Sequence, residues 1–74
     1  METNNSLHYL TFYTGIVANY DVLKGFGFIV EDGNLEKVFV HVTGINEQIK
    51  AGMRVKYKKD ATRNDCAFDV VILR

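Results

Sequence analysis

The sequence contains no proline, no tryptophan and a single cysteine, Cys66. With one cysteine the chain cannot form an internal disulfide. No apolar run approaches the roughly 20 residues that a membrane-spanning helix needs. The first residues are acidic and polar, without the basic start and apolar stretch of a secretory signal. A reducing cytoplasm, away from any membrane, is therefore the expected location.

The chain also lacks a net charge and the residue patterns of a catalytic or metal site. Nine basic residues balance nine acidic ones, and a net charge of zero argues mildly against a nucleic-acid partner. The distribution is uneven, because residues 50–63 carry six basic side chains and one acid, a pattern that usually marks a solvated strand face. His8, His41 and the lone cysteine do not form a spaced metal-ligand set. Without a nucleophile elbow or a phosphate-binding glycine loop, we expect no enzyme, no metal and no cofactor.

A length of 74 residues fits one domain. Segments with strand patterning, separated by turn signals, are predicted at residues 15–20, 25–31, 36–42, 53–59 and 66–73. Asp32 and Gly33 are a strong hairpin signal, residues 63–65 suit a turn, and residues 46–51 favour one short helical turn. No segment has the pattern of a long amphipathic helix. The prediction is an all-β fold, a five-stranded antiparallel barrel.

Residues 24–29 read Lys-Gly-Phe-Gly-Phe-Ile. At the two-residue period of a strand, Lys24, Phe26 and Phe28 fall on one face, and Ile29 falls on the other with the two glycines. Glycine weakens a strand interior, so this pair indicates a bend in the strand or a close neighbour. The strand therefore has an aromatic side and a side that faces a core.

Residues 38–41 read Val-Phe-Val-His and divide in the same way, with Phe39 and His41 opposite the valines. If both strands place their aliphatic sides on one core, their other sides converge on a single exposed patch, and such patches mark binding sites. The alternative, in which the aromatic sides are buried, conflicts with the core face that the valines already supply. The predicted patch consists of Phe26, Phe28, Phe39 and His41, and the predicted core contains Val17, Ile29, Val38, Val40, Val55, Tyr57 and Val70.

These two motifs resemble the first and second ribonucleoprotein motifs of the cold-shock domain family, small five-stranded OB-fold barrels that bind single-stranded RNA and DNA. The polar turn of that family matches residues 32–34. The resemblance covers residues 14–73, which makes 14–74 the domain and 1–13 an N-terminal extension. It implies that the nucleic-acid-binding residues are Lys24, Phe26, Phe28, Phe39 and His41.

The chain also departs from the family pattern. Ala18 and Asn19 stand where the family usually has a lysine and a tryptophan, and Val42 stands where it commonly has a phenylalanine. About half of the usual stacking surface remains, so the resemblance implies weaker binding with a shallow salt dependence.

Two functions follow. The first is single-stranded nucleic-acid binding by base stacking, as an RNA chaperone or a cold-shock-type regulator. The alternative is a protein-interaction or self-associating module, which the neutral charge favours. Residues 7–13 are apolar and rich in strand formers, so we expect them to pair with strand 4 or, in a homodimer, with a second chain.

Overall fold

The computed structural model describes residues 12–60 and 63–74. Its strands are β1 (Tyr13–Asp21), β2 (Phe26–Glu31), β3 (Lys37–His41), β4 (Arg54–Asp60) and β5 (Arg63–Ile72). They form a closed barrel in the order β1-β2-β3-β5-β4. The predicted all-β, five-stranded barrel is confirmed. Within the described ranges no helix is long and apolar enough to cross a membrane.

The strands are not all antiparallel, and the prediction is wrong on this point. Strands β3 and β5 run parallel, with Phe39 opposite Cys66 and Val40 opposite Ala67. The other neighbouring pairs are antiparallel. Strand directions cannot alternate all the way around a closed ring with an odd number of members. One parallel pair is therefore a consequence of closing five strands into a barrel.

The barrel interior is filled mainly by β-branched side chains, which pack well on a pleated surface. The buried hydrophobic residues are Val17, Ile29, Val38, Val40, Ile49, Val55, Tyr57, Ala67 and Val70. All of the predicted core residues are among them. Ile49 and Ala67 were not predicted, and Ile49 comes from the connection between β3 and β4. Each fully buried aliphatic side chain of this size stabilises the fold by about 1.5–3 kcal/mol.

Two local predictions are wrong. Residues 63–65 belong to β5 and not to a turn, because Arg63 already pairs with Asp60 of β4. The helical turn is a 3-10 helix at Val42–Gly44, and residues 46–51 form an irregular connection without a helix. The helix begins directly after β3 because the His41 side chain accepts a hydrogen bond from the backbone N–H of Thr43.

Strand β1 begins earlier than predicted, at Tyr13, which pairs with Tyr57 of β4. The rings of these two tyrosines stack with centroids 6.0 Å apart. Pairing with β4, expected for residues 7–13, is thus present at the end of that segment. Residues 1–11 lie outside the described residues, and the predicted homodimer through them stays a prediction.

The two glycines of the first motif have different roles. Gly25 ends the turn before β2 with a φ of +78°, in the left-handed region that glycine adopts readily. Gly27 lies against β1, where an added Cβ would come within 2.1 Å of the carbonyl oxygen of Asn19. The close approach of β1 and β2 therefore requires glycine at position 27.

Candidate nucleic-acid interface

Strands β2 and β3 bring the four patch residues together. Their antiparallel register places Phe26 opposite His41 and Phe28 opposite Phe39. The Phe39 ring lies 5.8 Å from the Phe26 ring and 5.8 Å from the Phe28 ring, centroid to centroid. These four side chains, called the aromatic platform below, occupy adjacent positions on one outer face of the barrel.

The aromatic platform is accessible, although its members differ in exposure. His41 is exposed and Phe26 is 36% exposed, whereas Phe28 and Phe39 are half-buried. The two half-buried rings pack edge to face, with their planes at 71°. The neighbouring Ile29, on the opposite side of β2, is fully buried. The structure thus separates an aromatic outer face from an aliphatic inner one.

His41 presents a defined hydrogen-bonding edge to solvent. Its Nδ1 accepts from the Thr43 backbone N–H at 3.2 Å and lies 2.9 Å from the Thr43 hydroxyl oxygen. An Nδ1 that accepts from an N–H carries no proton, so the proton of the neutral ring is on Nε2. The outer edge of His41 therefore offers a hydrogen-bond donor beside the Phe26 ring.

Lys24 is placed by a turn and not by the strand alternation that was expected for it. It is exposed in the turn between β1 and β2, and its backbone N–H donates to Asp21 Oδ1 at 3.0 Å. It still lies beside the platform, because it lines the same open groove of about 590 Å³ as Phe26 and Phe28. All predicted binding residues thus lie on one region of the surface.

The groove also contains residues outside the predicted binding set. Asn19 lines it and pairs with Phe28 across β1 and β2. Leu23, at the rim, is 97% exposed, and Val22 beside it is 68% exposed. Two adjacent apolar residues between the predicted strands at 15–20 and 25–31 were the available signal. A second groove of about 320 Å³ adjoins the first and shares Val22 and Tyr20 with it.

Most of the basic stretch at residues 50–63 does not face the aromatic platform. The strand order places β4 between β1 and β5, so that it neighbours neither β2 nor β3. Three of its cations are paired with acids within 4 Å: Arg54 with Asp32, Lys58 with Asp69, and Lys59 with Glu31. The expectation of a solvated strand face therefore describes this stretch better than a continuous phosphate-binding surface.

Lysines at either end of the platform supply its positive charge. Lys37 is exposed two residues before Phe39 and on the same face of β3, and Lys24 lies beyond Phe26. Neither lysine forms an ion pair with an acid in the described part of the chain. Lys37 was not predicted, although the alternation of residues 37, 39 and 41 would have placed it there.

A buried polar cluster lies at the far end of β2. Glu31 is 5% exposed and accepts from the Tyr57 hydroxyl at 2.7 Å, from Asn34 at 2.8 Å and from Lys59 at 2.9 Å. Burial acts to raise the pKa of the Glu31 carboxyl, but its hydrogen bonds and the charge of Lys59 outweigh burial and leave the pKa below its usual value. Burial and the neighbouring carboxylate raise the pKa of Tyr57. The cluster joins β2 to β4.

The sequence matches known proteins along the same stretch that forms the barrel. The 'Cold-shock' DNA-binding domain family matches residues 13–72, from the start of β1 to the end of β5. The cold shock-like protein CspA of Stigmatella aurantiaca (strain DW4/3-1) is 39% identical over 49 residues, which cover 61% of this chain and 72% of that protein.

Proposed function

The chain belongs to the cold-shock domain family, whose members generally bind nucleic acids, and we propose that it binds single-stranded RNA or DNA by stacking bases on the aromatic platform. The observation that carries this proposal is the convergence of three phenylalanine rings and one imidazole on a single outer face. Aromatic side chains next to cations are the usual surface for unstacked bases.

The platform supplies stacking, hydrogen bonding and charge. The Phe26, Phe28 and Phe39 rings stack on bases, at about 1–3 kcal/mol per base. The Nε2–H of His41 donates to an acceptor on a base edge or a phosphate, and Lys24 and Lys37 neutralise phosphates at the two ends. Every base has a stackable face, so this surface does not depend on one sequence.

Single strands are the expected ligand because a base that stacks on the platform cannot remain paired with its complementary base. Binding then competes with base pairing and keeps strands open, which is the physical basis of RNA chaperone activity. We place this activity in the cytoplasm, where transcripts are the available single strands. Affinity should be modest because Asn19 and Val42 replace two rings of the family pattern and the net charge is zero.

A titration with matched single- and double-stranded ligands tests the proposal. A fluorescently labelled pyrimidine-rich strand is compared with the same strand annealed to its complement, at two salt concentrations. We expect the single strand to bind at least about tenfold more tightly, equal to the ~1.4 kcal/mol that one stacked base contributes. Equal affinity for both ligands would show that binding does not use the base faces.

A protein-interaction function is favoured by one observation, the apolar rim of the groove. Leu23 and Val22 in this groove are 97% and 68% exposed, and Val42 in the adjoining groove is 49% exposed. Grouped apolar residues of this kind mark interaction surfaces. A sizing-column run of the wild type and of Leu23→Ser distinguishes this function. Concentration-dependent association that the substitution abolishes, without measurable oligonucleotide binding, would place the protein-interaction function first.

A further inference from the structure

Strand β5 carries an exposed aromatic side chain that the aromatic platform does not include. Phe68 is 43% exposed, whereas Ala67 before it is buried at 6%. The alternation of a strand therefore directs Phe68 to the outer surface of the barrel. A single exposed ring is not by itself a binding site, so the groups around Phe68 decide whether it extends the platform.

Phe68 lies next to the end of the platform that contains His41. The parallel pairs Phe39–Cys66 and Val40–Ala67 fix the register of β5 against β3. One residue further along β5, Phe68 comes beside the end of β3, where Gly44 packs so closely that an added Cβ would lie 3.2 Å from the Phe68 Cα. Neighbouring strands are about 4.8 Å apart. Phe68 is thus about one strand spacing from the outer face of β3.

Two lysines of β4 lie beyond Phe68. Lys58 of β4 pairs with Phe68 across the other edge of β5. Lys58 forms an ion pair with Asp69 at 3.2 Å. Lys56 forms no ion pair with an acid among the described residues. Both ammonium groups lie near the Phe12 ring, at 4.8 Å for Lys56 and 5.3 Å for Lys58. Aromatic rings alternating with cations suit a polyanion with flat bases better than an apolar peptide.

We infer that a single strand longer than the aromatic platform continues over β5 and stacks a further base on Phe68, with its backbone directed toward Lys58 and Lys56. This inference rests on the proposed function, because it extends the same binding surface by one strand. It also assigns to Phe68 a stacking role that offsets part of the loss of rings at Asn19 and Val42.

Titrations with strands of two lengths test the inference. Oligothymidylates of about four and about twelve nucleotides fall near the lower end and toward the upper end of site sizes for single-strand-binding folds of this type. We expect Phe68→Ala to weaken binding of the longer strand about fivefold or more and of the shorter strand by less than about twofold, because only the longer strand reaches β5. Ile16→Ala is the matched control, since Ile16 is 42% exposed on β1, a strand that does not neighbour β5.

Two further substitutions separate stacking from apolar contact and remain informative if alanine at this position disturbs folding. Phe68→Tyr keeps the ring and should bind the longer strand like the wild type. Phe68→Leu keeps apolar area without a ring and should bind like the alanine variant. Equal binding by the leucine and tyrosine variants would overturn the stacking role.

Phe39→Ala, measured beside these variants, distinguishes failure of the inference from failure of the proposed function. If Phe39→Ala weakens both lengths and Phe68→Ala weakens neither, the platform binds nucleic acid and the extension over β5 is wrong. If neither variant changes binding, both proposals are wrong. A changed elution volume for Phe68→Ala with unchanged binding would assign Phe68 to a protein interface and overturn the inference.

Discussion

Asn19 is the residue that most distinguishes this surface from the usual family pattern. It lines the groove beside the platform and pairs with Phe28, where the family usually presents tryptophan. The amide forms hydrogen bonds but offers no ring for stacking. A single substitution at this position therefore measures how much affinity the missing ring accounts for.

Replacing Asn19 by tryptophan should tighten single-strand binding by about 1–3 kcal/mol, the contribution of one stacked base. Adding Ala18→Lys should steepen the dependence of log Kd on log salt by about 0.7, as one further phosphate is neutralised. Fluorescence titration of both variants with one pyrimidine-rich strand measures these effects. If tryptophan brings no gain in affinity, the groove serves another ligand and the protein-interaction function gains support.

Glu31 makes the stability of the barrel dependent on pH. The folded state holds the pKa of Glu31 below its ordinary value of 4.5. Its ionised form therefore stabilises the fold above pH 4.5, and this contribution is lost as the pH falls through the lower folded-state pKa. Glu31→Gln should lower the free energy of unfolding at pH 7 by about 1.5–3 kcal/mol, the value of hydrogen bonds to a charged group.

Urea unfolding of Glu31→Gln and wild type between pH 7 and pH 3 measures this effect. The two curves should converge in acid, because the protonated wild-type side chain also lacks the charge that attracts Lys59. The control is Glu36→Gln, since Glu36 is exposed in the turn after β2. A difference between Glu31→Gln and wild type that stays constant with pH would contradict the assigned role.

At the scale of elements, β2 and β3 could be predicted from local sequence. In each strand, core-facing and outward-facing side chains alternate within a few consecutive residues. Residues 63–65 were mistaken for a turn because polar side chains suit both a turn and an exposed strand. Glu31 follows Ile29 by two residues on the same inner face, yet its charge concealed its burial. Its partner Tyr57 is 26 residues away, and such distant pairings depend on the barrel and not on local sequence.

The N-terminal extension is the element whose role can be tested by deletion. Tyr13 already pairs with β4, so the deletion should stop before β1 and remove residues 1–11 only. We expect lower stability, or loss of a dimer, because the apolar sequence at residues 7–11, rich in strand formers, is predicted to pair with β4 or with another chain. Urea unfolding and sizing-column elution are the measurements. Unchanged results in both would show that the segment has no structural role.

At the scale of the whole molecule, barrel closure determines what the sequence alone could not. The strand order separates β4 from β2 and β3, so most of the basic stretch lies away from the platform. The acids that pair with β4 come from distant parts of the chain. Phe68 also becomes a neighbour of β3 only through the parallel pair that closure requires. The platform could be predicted from two adjacent strands, whereas its surroundings depend on the complete ring.

At the scale of the whole molecule, the net charge of zero predicts that the affinity for a single strand depends only weakly on salt. The two lysines beside the platform should account for most of this dependence. Lys24→Gln and Lys37→Gln should each reduce the slope of log Kd against log salt by about 0.7 for a single strand. Lys50→Gln is the control, because Lys50 is exposed in the connection between β3 and β4. Titrations at several salt concentrations give the slopes. Equal slopes for all three variants would show that the platform lysines do not contact phosphate.

The central claim is that the aromatic platform binds bases and is not part of the core. Phe39 tests this claim most directly, because the centroid of its ring lies 5.8 Å from those of both Phe26 and Phe28. The measurement pairs oligonucleotide titration with urea unfolding for Phe39→Ala, with Leu35→Ala as the control because Leu35 is 75% exposed beyond the platform. We predict that Phe39→Ala weakens single-strand binding by about 1–3 kcal/mol and costs less stability than the ~3–5 kcal/mol of a core phenylalanine. Normal binding together with a core-sized loss of stability would contradict this account.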